Sequence, residues 1–599
     1  MTSLTDGTEL PQWNLGDLYS GPKAPELDRD LERADALCQA FADTYKGKLA
    51  DIDGDTLGQA IVEFEIFSEI LYKVMSYGQL LFAADTGNAD TGRFLQTLRE
   101  KVTDISTATL FFQLELNRLD EAVLNTQLES PAAAHFAPWI RDVRAFRDHE
   151  LSDDLERLLH EKSVSGRGSW VRLFDETQSS LRFPVDGNDL TMSDVLNMMS
   201  DTDGVARKKA AKSLGGVLTD NIRLFTLITN TLAKDKATED AWRKYPRPIS
   251  ERNLGNQVED VVVDALSSSV QAAYPDLSHR YYKLKARWFG VDALDYWDRN
   301  APLPDDNDRT YSWGDARKTV LDAYGRFDPQ LAGIATEFFD KRWIDAELRP
   351  GKDSGAFSHS TVPSAHPYIL MNFHGKARDV MTLAHELGHG VHQVLSAHQG
   401  TLMADTPLTT AETASVFGEM LTFRSLLDGE GDANRRRILL AGKVEDMLNT
   451  VVRQIAFHEF ETRVHRERAG GELSSDRLGD IWMDVQRESL GDGIRLYDDY
   501  RSFWAYIPHF IHSPFYVYAY AFGDCLVNSL YDLFAGGHPG FQAKYLDVLK
   551  AGGTRRHKEL LAPFGLDASD PEFWNRGLSM ISGFIDELEE HEQKGDPKL

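Results

Sequence analysis

The stretch Met381-Thr-Leu-Ala-His-Glu-Leu-Gly-His-Gly-Val-His392 places two histidines four residues apart, with a glutamate directly after the first. Residues four apart share one face of a helix, so His385 and His389 can both reach a single metal ion. Glu386 lies beside them and can take a proton from an attacking water molecule. The stretch therefore predicts a metal-binding helix, and its residue types favour zinc and hydrolytic chemistry.

Two simpler explanations fit this stretch less well. The chain has 18 histidines among 599 residues. At that frequency the spacing arises by chance about 0.04 times in such a chain. Two histidines on a solvent-exposed helix would have polar neighbours, whereas Ala384, Leu387 and Val391 are small or apolar. We therefore expect a metal site.

A catalytic zinc ion usually takes three protein ligands, so a third ligand must lie outside this helix. The metzincin pattern is excluded, because His392 stands where that pattern requires glycine. Downstream, residues 409–419 are predicted to form a second helix capped by Thr409 or Thr410, with Glu412 in its first turn. We take Glu412 as the third ligand.

Other polar side chains near the motif remain alternatives. Glu419 is predicted to lie on the same helix face as Glu412, where it either orients a ligand imidazole or is solvated. Four further histidines compete as ligands, although each is better explained as a packing or loop residue: His392, His374, His366 and His359.

The chain resembles a known family, the oligoendopeptidase F branch of the thimet-oligopeptidase-like zinc metallopeptidases. The resemblance extends over most of the chain. It rests on residues 13–19 (WNLGDLY), 366–372 (HPYILMN), 379–392 (DVMTLAHELGHGVH), 412–419 (ETASVFGE), 507–510 (IPHF), 514–518 (PFYVY) and 570–574 (DPEFW). This combination is much more specific than the histidine pair alone.

The resemblance implies His385, His389 and Glu412 as ligands of one zinc ion per chain, with Glu386 as general base. It also implies a mainly α-helical fold, an elongated multi-helix zincin of the gluzincin type with a deep substrate channel that admits only short unstructured peptides. No required residue is substituted, so we expect an active zinc endopeptidase. Residues 358–360 (SHS) depart from the family pattern, which leaves substrate contacts there open.

An aromatic run at residues 503–522 matches family positions that stabilise the oxyanion formed during peptide hydrolysis. These positions are Tyr518, His509 and Tyr516, in our order of preference. A positioned hydroxyl or imidazole donor is worth roughly 3 to 4 kcal/mol at such an oxyanion. Tyr520 and His512 are expected only to pack, and composition alone would make the whole run a hydrophobic core.

Three other functions share these features. A zinc exopeptidase would require a charged pocket for a peptide terminus. A zinc hydrolase acting on other bonds would have no use for a strand that pairs with a peptide. A peptide-binding protein without catalysis would not need Glu386. Peptides blocked at either end and a turnover assay distinguish these functions from an endopeptidase.

Composition limits which classes of binding partner and which cellular compartment fit the protein. The 94 acidic and 65 basic residues give a net charge of −29, which opposes binding to nucleic acid or to anionic membranes. Cys38 and Cys525 are too few for a disulfide scaffold, which favours the reducing cytoplasm. The first ten residues lack a signal-peptide pattern, and no run approaches a membrane span. We expect a cytoplasmic enzyme whose partners are short peptides.

Helical periodicity dominates the chain. Apolar residues recur at three- and four-residue intervals, without internal proline, across residues 27–49, 57–84, 91–128 and 205–232. Two domains are expected: an N-terminal helical lobe over residues 1–200 and a catalytic domain over residues 201–599.

Short strands are expected at residues 181–185, 345–349 and 368–373, and they predict a small β-sheet near the zinc helix. The third strand is the most informative for function. If it is an edge strand, it can pair with an extended peptide through main-chain hydrogen bonds.

Overall fold

The computed structural model describes residues 10–163, 165–303, 310–353 and 355–593. Most of the N-terminal stretch used to exclude a signal peptide, residues 1–9, lies outside this range. Among the described residues, no helix is both long enough and apolar enough to cross a membrane.

The fold is mainly α-helical with only small β-sheets, as predicted. Contacts divide the chain into two compact units, and each unit is built from three separate segments. Unit 1 comprises Met1–Arg147, Asp308–Gly429 and Gly537–Gly565, and unit 2 comprises Asp148–Asn307, Glu430–Gly536 and Leu566–Leu599. The two-domain division at residue 200 is a linear one and stays a prediction.

The first half of the chain supplies helices to both units in turn. Unit 1 begins with α1 (Pro25–Tyr45), α2 (Gly54–Ala84), α3 (Ala89–Thr107), α4 (Leu110–Arg118), α5 (Glu121–Gln127), α6 (Pro131–Ala134) and α7 (Ala137–Val143). Unit 2 begins with α8 (Asp153–Ser163), α9 (Arg167–Ser180), α10 (Met192–Met198), α11 (Gly204–Asp220), α12 (Ile222–Arg243), α13 (Ser250–Gly255), α14 (Asp260–Ala273) and α15 (Arg280–Trp288).

The second half of the chain alternates between the units in the same way. Unit 1 receives α16 (Trp313–Phe327), α17 (Pro329–Asp340), α18 (Ala377–Ser396), α19 (Leu408–Ala411) and α20 (Thr413–Gly429). Unit 2 receives α21 (Ala433–Thr450), α22 (Val452–Arg468), α23 (Ser475–Leu490), α24 (His509–His512) and α25 (Tyr518–Ala535). Unit 1 is completed by α26 (Phe541–Lys550) and α27 (His557–Leu561), and unit 2 by α28 (Pro571–Gln593).

Two of the predicted long helices are interrupted in the structure. Residues 91–128 form α3, α4 and α5, and Asp120 caps the last of these by accepting a hydrogen bond from the backbone of Ala122. Residues 205–232 divide at Asn221, whose side chain donates to the carbonyl of Val217. Short polar side chains compete with the helix for backbone hydrogen bonds, which explains the breaks at Asp120 and Asn221.

Aromatic side chains fill the core of each unit. In unit 1, Phe41 contacts Phe67 and Phe112 edge-on, with ring centroids 5.3 and 5.0 Å apart. In unit 2, Phe460 packs edge-on against Trp482 at 5.5 Å. Burial of each such side chain stabilises the fold by roughly 1.5 to 3 kcal/mol.

The strands are short and form three small sheets. They are β1 (Phe183–Val185), β2 (Asn188–Leu190), β3 (Leu294–Asp295), β4 (Ile344–Asp345), β5 (Phe357–His359), β6 (Tyr368–Leu370) and β7 (Ile494–Arg495). β1 pairs antiparallel with β2, and β3 pairs parallel with β7. The third sheet has the order β4-β6-β5 and contacts α18, so the prediction of a small sheet near this helix is confirmed.

The position of β6 differs from the prediction. It is the central strand, parallel to β4 and antiparallel to β5, and all three of its residues are buried. The expectation that residues 368–373 form an edge strand is therefore wrong, because both sides of β6 are already hydrogen-bonded. Among the described residues, β5 lies at the edge of this sheet, on the side next to α18.

Candidate active site

Helix α18 presents His385 and His389 together. Its first turn is held by Asp379, whose carboxylate accepts hydrogen bonds from the backbone N–H groups of His374 and Lys376 at 2.8 and 2.9 Å. The two imidazole rings stand at 80° to each other, with centroids 4.9 Å apart. Both side chains stay partly exposed while much of the helix around them is buried. The predicted pairing on one helix face is present.

Glu412 lies at a junction between two helices. The helix predicted to start at Thr409 or Thr410 starts at Leu408, so both threonines lie inside α19 and do not cap it. The capping prediction is wrong because Pro407, with φ −53° and ψ 145°, takes the N-cap position. Glu412 then ends α19 as its C-cap, immediately before α20. The carboxylate therefore projects from a turn between helices.

The side chains of His385, His389 and Glu412 converge. Their candidate ligand atoms all lie within 4.8 Å of one another. Glu412 Oε2 is 3.4 Å from His385 Nε2 and 3.5 Å from His389 Nε2. Ser415 steadies the same carboxylate oxygen by donating a hydrogen bond of 2.6 Å. Two imidazole nitrogens and one carboxylate oxygen form a donor set suited to a zinc ion.

Two glycines allow the helices around this cluster to approach closely. A Cβ at position 388 in α18 would overlap the backbone of Ala414 and Ser415 in α20. A Cβ at position 418 in α20 would overlap the ring of Tyr324. Because backbone atoms cannot rotate aside, Gly388 sets the spacing between the histidine helix and the segment that carries Glu412.

Glu419 holds the other side of the His385 ring. Its Oε2 atom lies 3.2 Å from His385 Nδ1, while Nε2 of the same ring faces Glu412. A proton on Nδ1 satisfies the Glu419 contact and leaves the Nε2 lone pair available. Of the two roles considered for Glu419, this geometry favours orientation of the imidazole.

The pKa values of His385 and His389 are shifted in opposite directions. Burial lowers the pKa of His389 to about 4, although the negative charge of Glu412 opposes the shift. Burial also acts to lower the pKa of His385, but the Glu419 hydrogen bond and the Glu412 charge outweigh it and raise that pKa to about 9. His385 is therefore the ring that the surrounding acids bind most strongly.

Glu386 is buried directly beside the cluster. Burial raises its pKa to about 7, against the opposing effect of His385, and the charge of Glu412 adds to the increase. The backbone N–H of Ser358, in strand β5, donates a hydrogen bond to the Glu386 carboxyl. A carboxyl group with a pKa near neutrality can both accept and release a proton.

The four histidines considered as alternative ligands make contacts outside the candidate metal cluster. Among the residues that the structure describes, only one group of His, Cys, Asp and Glu side chains could hold a metal ion, and it contains none of the four competing histidines. Their partners are Thr406 for His392, the stacked ring of Trp343 for His366, Ser76 for His359 and Asp379 for the backbone of His374.

A cavity of about 570 Å³ in unit 1 extends from the cluster. His389 forms part of its wall, together with Ser360, Val362, Gln393, Thr406 and Ala411. Its volume lies in the range of small-molecule pockets, roughly 300 to 1,000 Å³. The side chain of Ser358, just before this wall, donates to Gln393 at 2.9 Å.

In unit 2, the aromatic run brings His509, Tyr516 and Tyr520 together. His509 stacks on Tyr516 with ring centroids 6.2 Å apart, and its Nε2 lies 3.3 Å from the Tyr520 hydroxyl. The ring of Tyr520 also contacts Tyr516 edge-on at 5.3 Å. Tyr520 is 37% exposed, and its predicted packing role rests on these contacts with His509 and Tyr516. Its four-residue spacing from Tyr516 was the sequence signal for this contact.

Tyr518 has a different environment. It is fully buried at the start of α25, and its hydroxyl accepts a hydrogen bond of 2.8 Å from the side chain of Asn256. Its ring contacts His458 edge-on at 5.9 Å. Burial raises the pKa of Tyr518. These contacts are those of a packed core residue.

The turn that precedes Tyr516 is held by residues that no motif indicated. Phe515 has φ +58°, a left-handed conformation that is unfavourable for a bulky residue. Its backbone N–H donates to the buried carboxyl of Glu461 at 2.8 Å. Arg252 donates to the carbonyl of Pro514 at 3.2 Å and lies over the Tyr516 ring. Glu461 and Arg252 are distant in sequence, so local patterns could not reveal them.

Comparison with known families agrees with this arrangement. The model described as "Peptidase family M3" matches residues 197–580, which is more than half of the chain. The chain belongs to peptidase family M3. A second model, "Oligopeptidase F", matches residues 115–183 of this M3 peptidase. The family predicted from the sequence is confirmed, and the chain is a metalloendopeptidase.

Individual relatives of the M3 peptidase extend over nearly its whole length. The oligopeptidase PepF of Bacillus subtilis is 28% identical over 593 residues, which cover 96% of this chain and 87% of the relative. An oligoendopeptidase F homolog of Lactococcus lactis is 25% identical over 597 residues, covering 98% of each chain.

Solved structures share the fold. A peptidase from Chlamydophila abortus has a TM-score of 0.86 at 23% identity, covering 97% of this chain and 98% of that one. Oligoendopeptidase F from Enterococcus faecium has a TM-score of 0.69 at 22% identity, covering 95% and 98%. The predicted mainly helical class is therefore confirmed.

Proposed function

We propose that this M3 peptidase is a zinc-dependent endopeptidase that hydrolyses internal bonds of short, unstructured peptides in the cytoplasm. The observation that carries the proposal is the convergence of His385, His389 and Glu412, with Glu386 buried beside them. Relatives named oligopeptidase and oligoendopeptidase support short peptides as substrates. Two buried, free cysteines and the strong negative charge support a reducing compartment without nucleic-acid partners.

The donor set fits one zinc ion per chain. A catalytic zinc ion takes three protein ligands and leaves a position for water or substrate, and His385, His389 and Glu412 supply such a set from partly exposed side chains. Zinc bound there would polarise the scissile carbonyl and acidify the attacking water. Glu419 would keep Nε2 of His385 directed to the ion, because it engages Nδ1.

Glu386 is proposed as the general base. Its carboxyl lies next to the ligands without belonging to the ligand cluster. It would accept a proton from the attacking water and pass it to the departing amine. The hydrogen bond from Ser358 holds the carboxyl in place and connects it to strand β5.

The substrate is proposed to lie along β5. This strand is at the edge of its sheet, contacts α18 and carries the backbone N–H that binds Glu386. Main-chain pairing with an edge strand holds an extended peptide without reading its side chains. The cavity beside His389 would take substrate side chains. In this role β5 replaces β6, the strand favoured by the sequence.

For oxyanion stabilisation we propose His509 and Tyr516 ahead of Tyr518. The first two are partly exposed and in contact with each other. Tyr518 is buried and its hydroxyl is already bonded to Asn256, which favours a packing role. The order of preference among the oxyanion donors therefore differs from the sequence prediction, which placed Tyr518 first.

Quenched fluorescent peptides of graded length test the proposal. The purified protein should contain about one zinc per chain, cleave short peptides at internal bonds, lose activity with a chelator and regain it with added zinc. Glu412→Ala should release the ion readily, and elemental analysis would measure this. Full zinc retention in that variant would remove Glu412 from the ligands, and chelator-resistant cleavage would overturn the zinc mechanism.

A further inference from the structure

The cavity beside His389 has an acidic wall. All of its lining residues belong to unit 1, and the acidic side chains among them are Glu337 and Asp405. Within the described residues, neither lysine nor arginine contributes to this wall. The cavity therefore offers an incoming side chain two carboxylates and no opposing guanidinium or ammonium group.

The Asp405 carboxylate is available to bind a ligand. Asp405 is exposed, and in the part of the chain that the structure describes its side chain forms neither a hydrogen bond nor an ion pair. The protein that surrounds it nevertheless raises its pKa by burial, as expected for a group in a concave wall. Glu337 differs, because its carboxylate accepts a hydrogen bond of 2.7 Å from Lys341. Asp405 is thus the acid of the wall whose charge has no counterpart.

Two residues of α2 add to the attraction for a cation. Glu69 accepts hydrogen bonds from the backbone N–H of Ser364, at 3.2 Å, and from the hydroxyl of Thr401, at 3.1 Å. Thr401 lines the cavity, and both donors are neutral, so Glu69 adds negative charge directly behind the wall. Tyr72, three residues further along α2, also lines the cavity and is 53% exposed. The face of an aromatic ring attracts a cation.

His389 connects the cavity to the candidate metal cluster. It forms part of the cavity wall, and its Nε2 atom lies 3.5 Å from Glu412 Oε2. A peptide bond held at the cluster would therefore have a neighbouring side chain at the cavity. The wall also contains apolar residues such as Val362, along which the methylene stem of a long side chain can pack while its charged end reaches an acid.

We infer that this cavity is a subsite for a lysine or arginine side chain of the peptide substrate, and that Asp405 sets the preference. The inference deepens the proposed peptidase function and rests on it. The N-terminal ammonium group of a peptide carries the same charge and is the alternative source of the cation. A side chain is favoured because an endopeptidase cleaves internal bonds, which lie away from the N-terminus.

Short alanine-rich quenched peptides with a blocked N-terminus test the inference. They differ only in one residue, which is lysine, norleucine or glutamate, and this residue is moved to each position around the bond that mass spectrometry shows to be cleaved. Norleucine keeps the stem of lysine but lacks its ammonium group. At the preferred position the wild-type enzyme should cleave the lysine peptide with a kcat/KM about three- to tenfold above the norleucine peptide, since a partly shielded ion pair contributes about this factor.

Variants of Asp405 test whether the cavity sets this preference. Asp405→Asn should reduce the ratio of lysine to norleucine cleavage towards one, and Asp405→Glu should keep most of it. Asp405→Lys should instead favour the glutamate peptide. The matched control is Asp104→Asn, which changes an exposed aspartate of α3 outside the cavity wall and should keep the wild-type ratio.

The outcomes separate this inference from the proposed function. Equal cleavage of the lysine and norleucine peptides by the wild-type enzyme overturns the inference but leaves the peptidase function intact, whereas no cleavage of any peptide overturns the function itself. Faster cleavage of a neutral peptide with a free N-terminus, without a lysine preference, would assign the cation to the amino terminus and overturn the side-chain subsite.

Two further results bear on Asp405 itself. A lysine preference that is unchanged in both Asp405→Asn and Asp405→Lys would place the recognition elsewhere and overturn the assignment to this cavity. In a melting scan, Asp405→Asn should melt close to the wild type, because its carboxylate has no hydrogen bond to lose. A large drop in melting temperature, with equal loss of cleavage on every peptide, would make Asp405 a structural residue.

Discussion

The zinc-type cluster of unit 1 and the aromatic cluster of unit 2 are built in opposite ways. In unit 1, His385 and His389 are one helical turn apart and Glu412 follows shortly, so most of the geometry is local. In unit 2, His509 and Tyr516 take their positions from a strained turn held by Glu461, which lies on another helix. Chemistry that depends on helix spacing is visible in a sequence, whereas chemistry that depends on distant supports is not.

The strongest test of the unit 1 cluster is Glu386→Gln. The amide cannot accept the proton of the attacking water, so kcat should fall by about 10²- to 10⁴-fold. Zinc content should stay unchanged, because Glu386 lies outside the ligand cluster. The variant Glu100→Gln, which changes an exposed glutamate of α3 that accepts a hydrogen bond from Gln96, is a suitable control. Substantial residual turnover would remove the general-base role.

The corresponding test in unit 2 is the pair His509→Ala and Tyr516→Phe. If these groups stabilise the oxyanion, each change should lower kcat by about 100-fold and alter KM much less. Steady-state kinetics with one short peptide would measure both constants, and a melting scan would exclude unfolding. An unchanged kcat in both variants would show that His509 and Tyr516 do not stabilise the oxyanion and that the chemistry is confined to unit 1.

A smaller effect is expected from Glu419→Gln. The amide still contacts His385 but no longer carries a charge, so zinc affinity should fall by about 10- to 100-fold. Competition with a chelating dye would measure the affinity, and excess zinc should restore turnover. An affinity equal to that of the wild type would show that the 3.2 Å contact does not tune the ligand.

The smallest catalytic effect is expected from Tyr518→Phe. The structure places this hydroxyl in the core, so kcat should change little. The free energy of unfolding should fall by about 1 kcal/mol because Asn256 loses its acceptor. Urea denaturation would measure the loss. A fall in kcat of about 100-fold would instead restore the role that the sequence suggested for Tyr518.

How much of the molecule could be predicted depends on the range of the interactions. The helical class followed from periodicity, and the placing of His385 and His389 on one helix face followed from their four-residue spacing. The helix start at Leu408 was missed because Pro407 outweighed two threonines with high cap propensity. The central position of β6 was missed because strand order depends on pairing between distant segments.

The difference between local and long-range interactions also explains how far the aromatic run at residues 503–522 could be predicted. Resemblance predicted a role for Tyr516 and Tyr518, but the burial of Tyr518 could not be foreseen, because Tyr516, Tyr518 and Tyr520 alternate along the chain and nothing local shows which one is buried. Asn256, the partner of Tyr518, lies far away in the sequence. Burial of a side chain is a property of the folded unit, so it could not be assigned from the segment alone.

The segmented construction of unit 1 has a consequence for protein synthesis. Tyr545, in the last segment of this unit, donates a hydrogen bond of 2.7 Å to the carbonyl of Thr413, the residue that follows Glu412. A nascent chain that already contains every proposed zinc ligand therefore still lacks the helix that braces the third one. This contact with the residue next to Glu412 forms only once α26, 132 residues further along the chain, has been synthesised.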